Sequence, residues 1–337
     1  MLNIADKKVL ADYLQAKALI SDLNHVLIKP LGGGVSCEAI MVRTPERAFV
    51  IKQALPKLRV KEDWFSDVTR IVNEKDCLAF YNQIAPEDTP KLLFYDEENY
   101  LYGMEAAPEQ AAMWKNRLLA GDIDFAIARK AALALVNVHN TAARDEGIKA
   151  RFASQKFFIE LRIDPYLQTI AKHHPVLEKT INKEIARLLD TKATLVHGDY
   201  SPKNILVDGH KIYILDFEVA HIGDPSFDLG FLTNHFMLKA IKHKQWALSY
   251  LNLAIYTADV YLQKVDFMNA AVLERNTIKT LALLFLSRVD GKSPAEYITE
   301  ESDKKLIRTI SYHVLQNDIA TYRQLVQYFL EELRVLA

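Results

Sequence analysis

At 337 residues, half of them hydrophobic and a quarter charged, the chain is long enough for two packed lobes and has the composition of an ordinary globular protein. Its 42 basic and 43 acidic residues leave a formal net charge of -1, which gives no electrostatic footprint for nucleic acid or an anionic membrane. No long uncharged apolar run and no signal-peptide core is present, and Cys37 and Cys77 lack metal-ligand spacing, so the sequence reads as a cytoplasmic protein with two reduced packing thiols.

Residues 1–20 repeat apolar groups at helical spacing (Ile4, Leu10, Leu14, Leu19), which predicts a helix ahead of the first lobe. Val26 to Ile28 then leads into Gly32, Gly33 and Gly34, followed by a strand over Cys37 to Val42 and a second over Phe49 to Lys52. Three glycines between strands allow backbone N–H groups to approach phosphate oxygens, although a plain hairpin turn also uses them. Lys52 ends its strand one hairpin after the glycines, where a kinase lysine reaches the α- and β-phosphates.

A lysine held inside such a site needs a carboxylate, because an unpaired buried charge is costly. The spacing of Val68, Ile71, Leu78 and Tyr81 predicts a helix over Trp64 to Tyr81, and Glu74 falls on its apolar stripe. Glu74 is therefore the expected partner of Lys52; the bland alternative is a helix-flank glutamate with its head in water. Strands over Lys91 to Tyr95 and Tyr100 to Met104 flank a turn at residues 96–99 and run into Met104 to Pro108, the expected connection to a second lobe. Beyond Pro108 the pattern turns helical, over Ile123 to His139, Phe157 to Ala171 and Val176 to Leu189.

From Thr194 to Phe231 short apolar strand patterns alternate with polar residues that a core would not choose, so those residues belong at strand ends and in loops, where function concentrates. Phosphoryl transfer needs a carboxylate to receive or orient the attacking hydroxyl, and hard oxygen ligands for magnesium. His197-x-Asp199, Asn204 five residues on and Asp216 seventeen residues on have the order and spacing of a kinase catalytic loop and its metal-binding Asp. Asp199 is the expected base, and Asn204 and Asp216 the expected magnesium ligands. Lys203 sits between base and metal ligand, either to neutralise the transferring phosphate or as a surface lysine. Apolar helices follow over Phe227 to Leu238, Gln245 to Leu262 and Thr277 to Leu286, then a polar loop from Ser287 to Ser293 and a last helical segment or pair over Lys304 to Leu333.

His197-Gly198-Asp199, where protein kinases read His-Arg-Asp, resembles the aminoglycoside phosphotransferase and choline kinase group of small-molecule kinases. Asp216-Phe217-Glu218, with Phe49 to Pro56, Arg59-Val60 and Trp64 upstream, is similar to methylthioribose kinases. The resemblance implies an α+β, bilobal, protein-kinase-like fold: a small, mainly antiparallel β lobe with one helix that binds nucleotide (residues 1–104), and a larger helical lobe with the catalytic loop, metal loop and acceptor pocket (residues 105–337). It implies that backbone groups at Glu105 and Ala107 hold the adenine, that Glu218 is a further carboxylate for a metal ion, and that His197 and Asp228 brace the catalytic loop. It also makes Arg288 and Asp290 acceptor candidates, although a solvated helix end capped by Gly291 accounts for them equally.

The activity implied is ATP- and Mg2+-dependent phosphorylation of a hydroxyl on a small polar metabolite, with Lys52, Glu74, Asp199, Asn204 and Asp216 converging on the triphosphate. The acceptor is a sugar, an amino alcohol or an aminoglycoside-like molecule; the polar loop after the apolar helix leans toward sugar hydroxyls or an acid group. Only eleven residues separate Asp216 from Asp228, too short a stretch for a protein-substrate activation loop. A nucleotide-binding pseudokinase acting as a regulatory module is the alternative, and nothing in the sequence specifies an oligomeric state.

Overall fold

The computed structural model describes residues 2–22, 25–32, 36–59 and 65–335. The chain divides into two compact units, Met1–Gln110 together with Leu215–Glu218, and Ala111–Ile214 together with Val219–Ala337.

In the first unit, strands β1 (Leu27–Pro30), β2 (Cys37–Arg43), β3 (Ala48–Ala54), β4 (Leu92–Asp96) and β5 (Leu101–Glu105) form one antiparallel sheet in the order β1-β2-β3-β5-β4. Side chains alternate across a pleated strand, so Phe49 and Ile51 of β3 face one way and Lys52 the other. Helix α1 (Lys7–Ala16), whose N-cap Asp6 accepts from the backbone N–H groups of Lys8 and Val9, covers the first face. Its Leu10 and Leu14 pack with Ile4, Ile20, Ile40, Val42, Phe49, Ile51 and Leu101 in one buried cluster. The N-terminal helix thus seals the back of the sheet and leaves the Lys52 face to α2 (Arg70–Ile84).

That helix begins later than its periodicity predicts. Phe65 pairs as an isolated bridge with Lys57, and the Asp67 carboxylate takes the N–H of Thr69 in a turn, so regular helix starts only at Arg70. Val60 and Trp64 lie outside the described residues.

The second unit runs through β6 (Ala112–Met113), α3 (Trp114–Leu119), α4 (Phe125–Ala142), α5 (Glu146–Arg151), α6 (Lys156–Phe158), a π-helical stretch over Ile159–Gln168, α7 (Thr169–His173) and α8 (Glu178–Asp190). The sequence predicts one continuous α-helix over this π-helical region. Pro165 lies inside it and can donate no backbone hydrogen bond, a setting in which wider π geometry is found.

Then come β7 (Thr194–Val196), β8 (Ile205–Asp208), β9 (Lys211–Ile214) and β10 (His221–Gly223), with β7 paired to β10 and β8 to both β6 and β9. Helices α9 (Ser226–Lys242), α10 (Ala247–Leu262), α11 (Ala270–Asp290), α12 (Glu301–Gln316) and α13 (Tyr322–Val335) complete it. Every residue of α9 from Ser226 to Ile241 is buried, under α10 and α11 among others. Helix α11 continues through Ser287, Arg288 and Asp290 before Gly291 caps it, so the polar loop predicted from Ser287 begins only there. The last segment is a pair of helices. The protein has a bilobal α+β protein-kinase-like fold, with a small β-rich N-terminal lobe and a larger helical C-terminal lobe.

Candidate functional site

In the first unit the chemistry collects around α2. Lys52, on the α2 face of β3, places its ammonium 2.5 Å from Glu74 Oε1 and 2.9 Å from Asp216 Oδ1. Glu74 is fully buried and Asp216 is about a quarter exposed, at 24%. Burial opposes the Lys52 charge, but Asp216 and Glu74 outweigh it and hold the ammonium well above the ordinary lysine pKa. Burial pushes the Glu74 carboxyl up to about 7 against the pull of Lys52.

Helix α2 also fixes the segment that carries Asp216. Tyr81 packs on Phe217 with ring centroids 4.7 Å apart, and Asn73 donates its side-chain amide to the Glu218 carbonyl at 3.1 Å. Asp216 itself sits at φ 74°, a left-handed conformation that a non-glycine residue adopts only when its surroundings impose it.

Arg70 is a functional-segment residue that the sequence does not announce. It has no exposed surface and donates from Nε to Glu218 Oε2 at 3.0 Å, from Nη1 to the carbonyls of Ser66 and Asp67 at 3.0 Å, and from Nη2 to the carbonyls of Leu55, at 2.7 Å, and Ser36. One guanidinium therefore ties Ser36 just before β2, the end of β3 and the Asp-Phe-Glu segment together. Glu218, an expected metal ligand, spends one carboxylate oxygen on this pair. The buried Cys37 thiol lies 3.9 Å from that oxygen; both cysteines are buried, and neither is in a disulfide among the described residues.

Of the other predicted nucleotide residues, Gly33 and Gly34 lie outside the described residues, and a Cβ at Gly32 would meet nothing within 4 Å. The Glu105 N–H is already spent on the Lys91 carbonyl, and Ala107 is half-buried just beyond the strand.

In the second unit the loop expected to be catalytic, His197 to Asn204, follows β7. Asp228, in the first turn of α9 and fully buried, accepts the N–H of His197 at 2.6 Å and of Gly198 at 2.8 Å, which is the brace expected of it. Burial would raise its pKa, but the His139 hydrogen bond and the charges of His139 and His197 lower it below the usual value. His139 in turn bonds Tyr261 at 2.6 Å, a satisfied interior histidine. His197 is buried too, and its Nδ1 accepts the Asp199 N–H at 3.2 Å.

Asp199 is thereby held at its backbone, and its carboxylate is held as well. Asn204 donates its side-chain amide to Asp199 Oδ2 at 2.7 Å, and Arg162 Nη2 lies 3.0 Å from the same oxygen while its Nε donates to the Gly198 carbonyl. Arg162 comes from the π-helical stretch; a lone arginine in a helical pattern gives no signal of this role. With its nitrogen turned to Asp199, Asn204 keeps its side-chain oxygen free of any donor among the described residues.

Gly198 explains why this loop departs from the protein-kinase spelling. Its φ is 77°, and a Cβ there would lie 2.8 Å from a Val219 methyl and 3.0 Å from the Val219 carbonyl oxygen. Gly198→Ala is expected to cost about 1–3 kcal/mol in urea unfolding and to lower turnover by displacing Asp199; unchanged stability and turnover would show that the loop can relax around a methyl group.

The remaining candidates separate. Lys203 is exposed on the catalytic loop. Asp290 is committed to a brace at the end of α11, with Arg308 at 2.7 and 2.9 Å and His174 at 3.0 Å. Arg288 donates to the Ser293 carbonyl at 2.6 Å.

The sequence profile of the phosphotransferase enzyme family matches residues 27–250, well over half of the chain. The chain belongs to that family. Among curated proteins the chain is 24% identical over 270 residues to methylthioribose kinase 1 of Oryza sativa subsp. japonica, covering 68% of the chain and 61% of the relative. It is 23% identical over 263 residues to the methylthioribose kinase of Bacillus cereus strain G9842, covering 69% and 64%. The chain thus spans about three fifths of the length of these curated relatives.

Solved structures share its fold: amicoumacin kinase hAmiN in complex with AMP-PNP, Ca2+ and Ami, with a TM-score of 0.57 at 13% identity over 95% of this chain and 99% of that one. A choline/ethanolamine kinase family protein from Mesorhizobium loti gives 0.52 at 15% identity, over 97% and 99%. Among the described residues no helix is long and apolar enough to cross a membrane.

Proposed function

We propose that this phosphotransferase uses ATP to phosphorylate a hydroxyl of a small polar metabolite, in the manner of the sugar, amino-alcohol and antibiotic kinases it resembles. The observation that carries this reading is Lys52 held between a buried Glu74 and the part-exposed Asp216. A cation fixed in that way suits the phosphates of a nucleotide, and such a site is costly to keep without one.

The donor set fits magnesium, which takes oxygen ligands and keeps several waters. Asn204 offers a side-chain oxygen with no donor among the described residues and Asp216 a part-exposed carboxylate; when bound, the ion would neutralise phosphate charge. Glu218 is the weaker assignment because Arg70 occupies one of its oxygens. Backbone N–H groups of the glycine turn and the chain around Glu105 and Ala107 are assigned to the nucleotide.

Asp199 orients the acceptor hydroxyl and takes its proton. Arg162 and Asn204 fix the carboxylate oxygen they share, which leaves Oδ1 as the acceptor for that proton. The work is mainly positioning and charge neutralisation. Titration calorimetry with ATP and Mg2+, followed by an ADP-release assay over sugars, amino alcohols and aminoglycosides, tests the reading. Magnesium-dependent nucleotide binding with acceptor-dependent ADP release is expected, and binding without turnover of any acceptor would favour a pseudokinase.

A further inference from the structure

Lys239, in the last turns of the buried helix α9, has no exposed surface. Its ammonium donates to the carbonyl of His235 at 3.1 Å and lies 5.3 Å from the centre of the Tyr297 ring, and among the described residues it has no carboxylate partner. Lys115 stands 5.9 Å from the same ring and is paired with Glu296.

Two further polar atoms here are buried without a partner among the described residues, Arg288 Nε and the Tyr297 hydroxyl. His235, one turn before Lys239, is pushed well below the ordinary histidine pKa by burial, then by Lys239, Arg288, Lys115 and Lys203. Buried Lys239 and His235 thus lie among part-buried Arg288 and Lys115 and the exposed Lys203, and the carboxylate paired into this set among the described residues, Glu296, is itself exposed. Burial, Lys115 and Arg288 pull the Lys239 pKa down to about 7, which lessens the charge problem but leaves Arg288 Nε and Tyr297 unsatisfied. Buried polar groups in this condition point to a missing partner, and for this set the partner is an anion.

The cluster adjoins the catalytic loop within the second unit. Lys203 is four residues after Asp199, and the Lys115 N–H donates to the Pro202 carbonyl at 2.8 Å. The guanidinium of Arg162, which holds Asp199, lies 6.0 Å from the Phe231 ring centre, and Phe231 meets His235 with centroids 5.4 Å apart.

We infer that Lys239, Arg288, Tyr297 and His235, flanked by Lys115 and Lys203, form a subsite for an anionic group, phosphate or carboxylate, carried by the hydroxylated acceptor. The inference rests on the phosphotransferase reading and narrows its acceptor to a hydroxylated acid or sugar phosphate. A cationic aminoglycoside or choline would meet like charge at this place, which disfavours it.

The test uses the full chain and a matched series: ribose, its 5-phosphate and its aldonic acid, with an aminoglycoside and choline as cationic controls. One of the anionic sugars is expected to show a KM at least about tenfold below that of ribose, since each 1.4 kcal/mol of charge-assisted contact is a factor of ten; which of the two it is distinguishes phosphate from carboxylate. In Lys239→Met that advantage is lost. The same variant is expected to raise Tm by about 2–4 °C, because an apolar side chain replaces a buried unpaired charge.

Sulfate, measured with the nucleotide site saturated with ADP and Mg2+, should raise the Tm of the parent protein and not that of Lys239→Met. Its effect should weaken as pH rises above about 7 and the ammonium loses its proton. Arg288→Gln provides an independent second variant with the same expected loss. Preference for ribose or a cationic acceptor, or a sulfate shift that survives in both variants, would overturn the subsite. Failure to bind ATP in calorimetry would instead overturn the kinase reading, and the sulfate shift alone would then decide the subsite.

Discussion

Replacing Asp199 by asparagine is expected to lower kcat by about 10²–10⁴-fold, the range in which a positioned proton acceptor contributes, while leaving ATP affinity nearly unchanged. The geometry makes this a clean substitution. Asn204 and Arg162 both donate to Asp199 Oδ2, and an asparagine can turn its side-chain oxygen to them, so the loop keeps its hydrogen bonds and loses only the charge and the proton-accepting oxygen. The backbone is held independently by Asp228 and His197. ATP affinity is assigned to Lys52, Glu74 and Asp216, which belong to the first unit, whereas Asp199 belongs to the second. Pre-steady-state kinetics with saturating acceptor would measure the loss, and turnover retained within a few-fold would remove Asp199 from the base role.

The largest effect on stability is expected at Arg70. Arg70→Met leaves Glu218 buried without its cation and removes the guanidinium bonds to the carbonyls of Ser36, Leu55, Ser66 and Asp67, and breaking one half of a buried pair costs about 3–5 kcal/mol. Urea unfolding followed by a probe in the first unit should show that loss. The double variant Arg70→Met with Glu218→Leu is expected to recover only part of it: the stranded carboxylate is gone, but the guanidinium bonds to the carbonyls of Ser36, Leu55, Ser66 and Asp67 remain lost. Full recovery would mean that the carbonyl bonds contribute nothing, and a cost below about 1 kcal/mol for the single variant would place Arg70 among ordinary exposed ion pairs.

The course of the chain was readable wherever one face of an element is apolar. Alternation located β2, β3 and β5, and the stripe of Ile71, Leu78 and Tyr81 located α2 and singled out Glu74 as an inward carboxylate that meets Lys52. The loop proposed as catalytic stood out for a different reason: Asp199, Asn204 and Asp216 are residue types that strand ends do not otherwise require, at a spacing set by two short strands.

Charged residues that the fold buries were not readable. Arg70, Arg162 and Lys239 each lie in helical sequence where a cation is ordinarily read as part of a solvated face, and only the tertiary surroundings make them interior. Boundaries failed for local reasons. The Phe65–Lys57 bridge and the Asp67 turn delay α2, and Pro165 turns a predicted α-helix into π geometry, which periodicity does not distinguish. The polar run from Ser287 looked like a loop because Arg288 and Asp290 are charged, yet both are helical, and Asp290 is neutralised by Arg308 and lies 3.0 Å from His174.

Phosphorus NMR of ATP and Mg2+ incubated with the protein and the acid-bearing sugar series tests the phosphotransfer claim most directly. A new phosphomonoester resonance that grows with ADP is expected from the parent protein, at a rate reduced by orders of magnitude in Asp199→Asn. Conversion of ATP to orthophosphate alone, or no conversion with any acceptor, would contradict it.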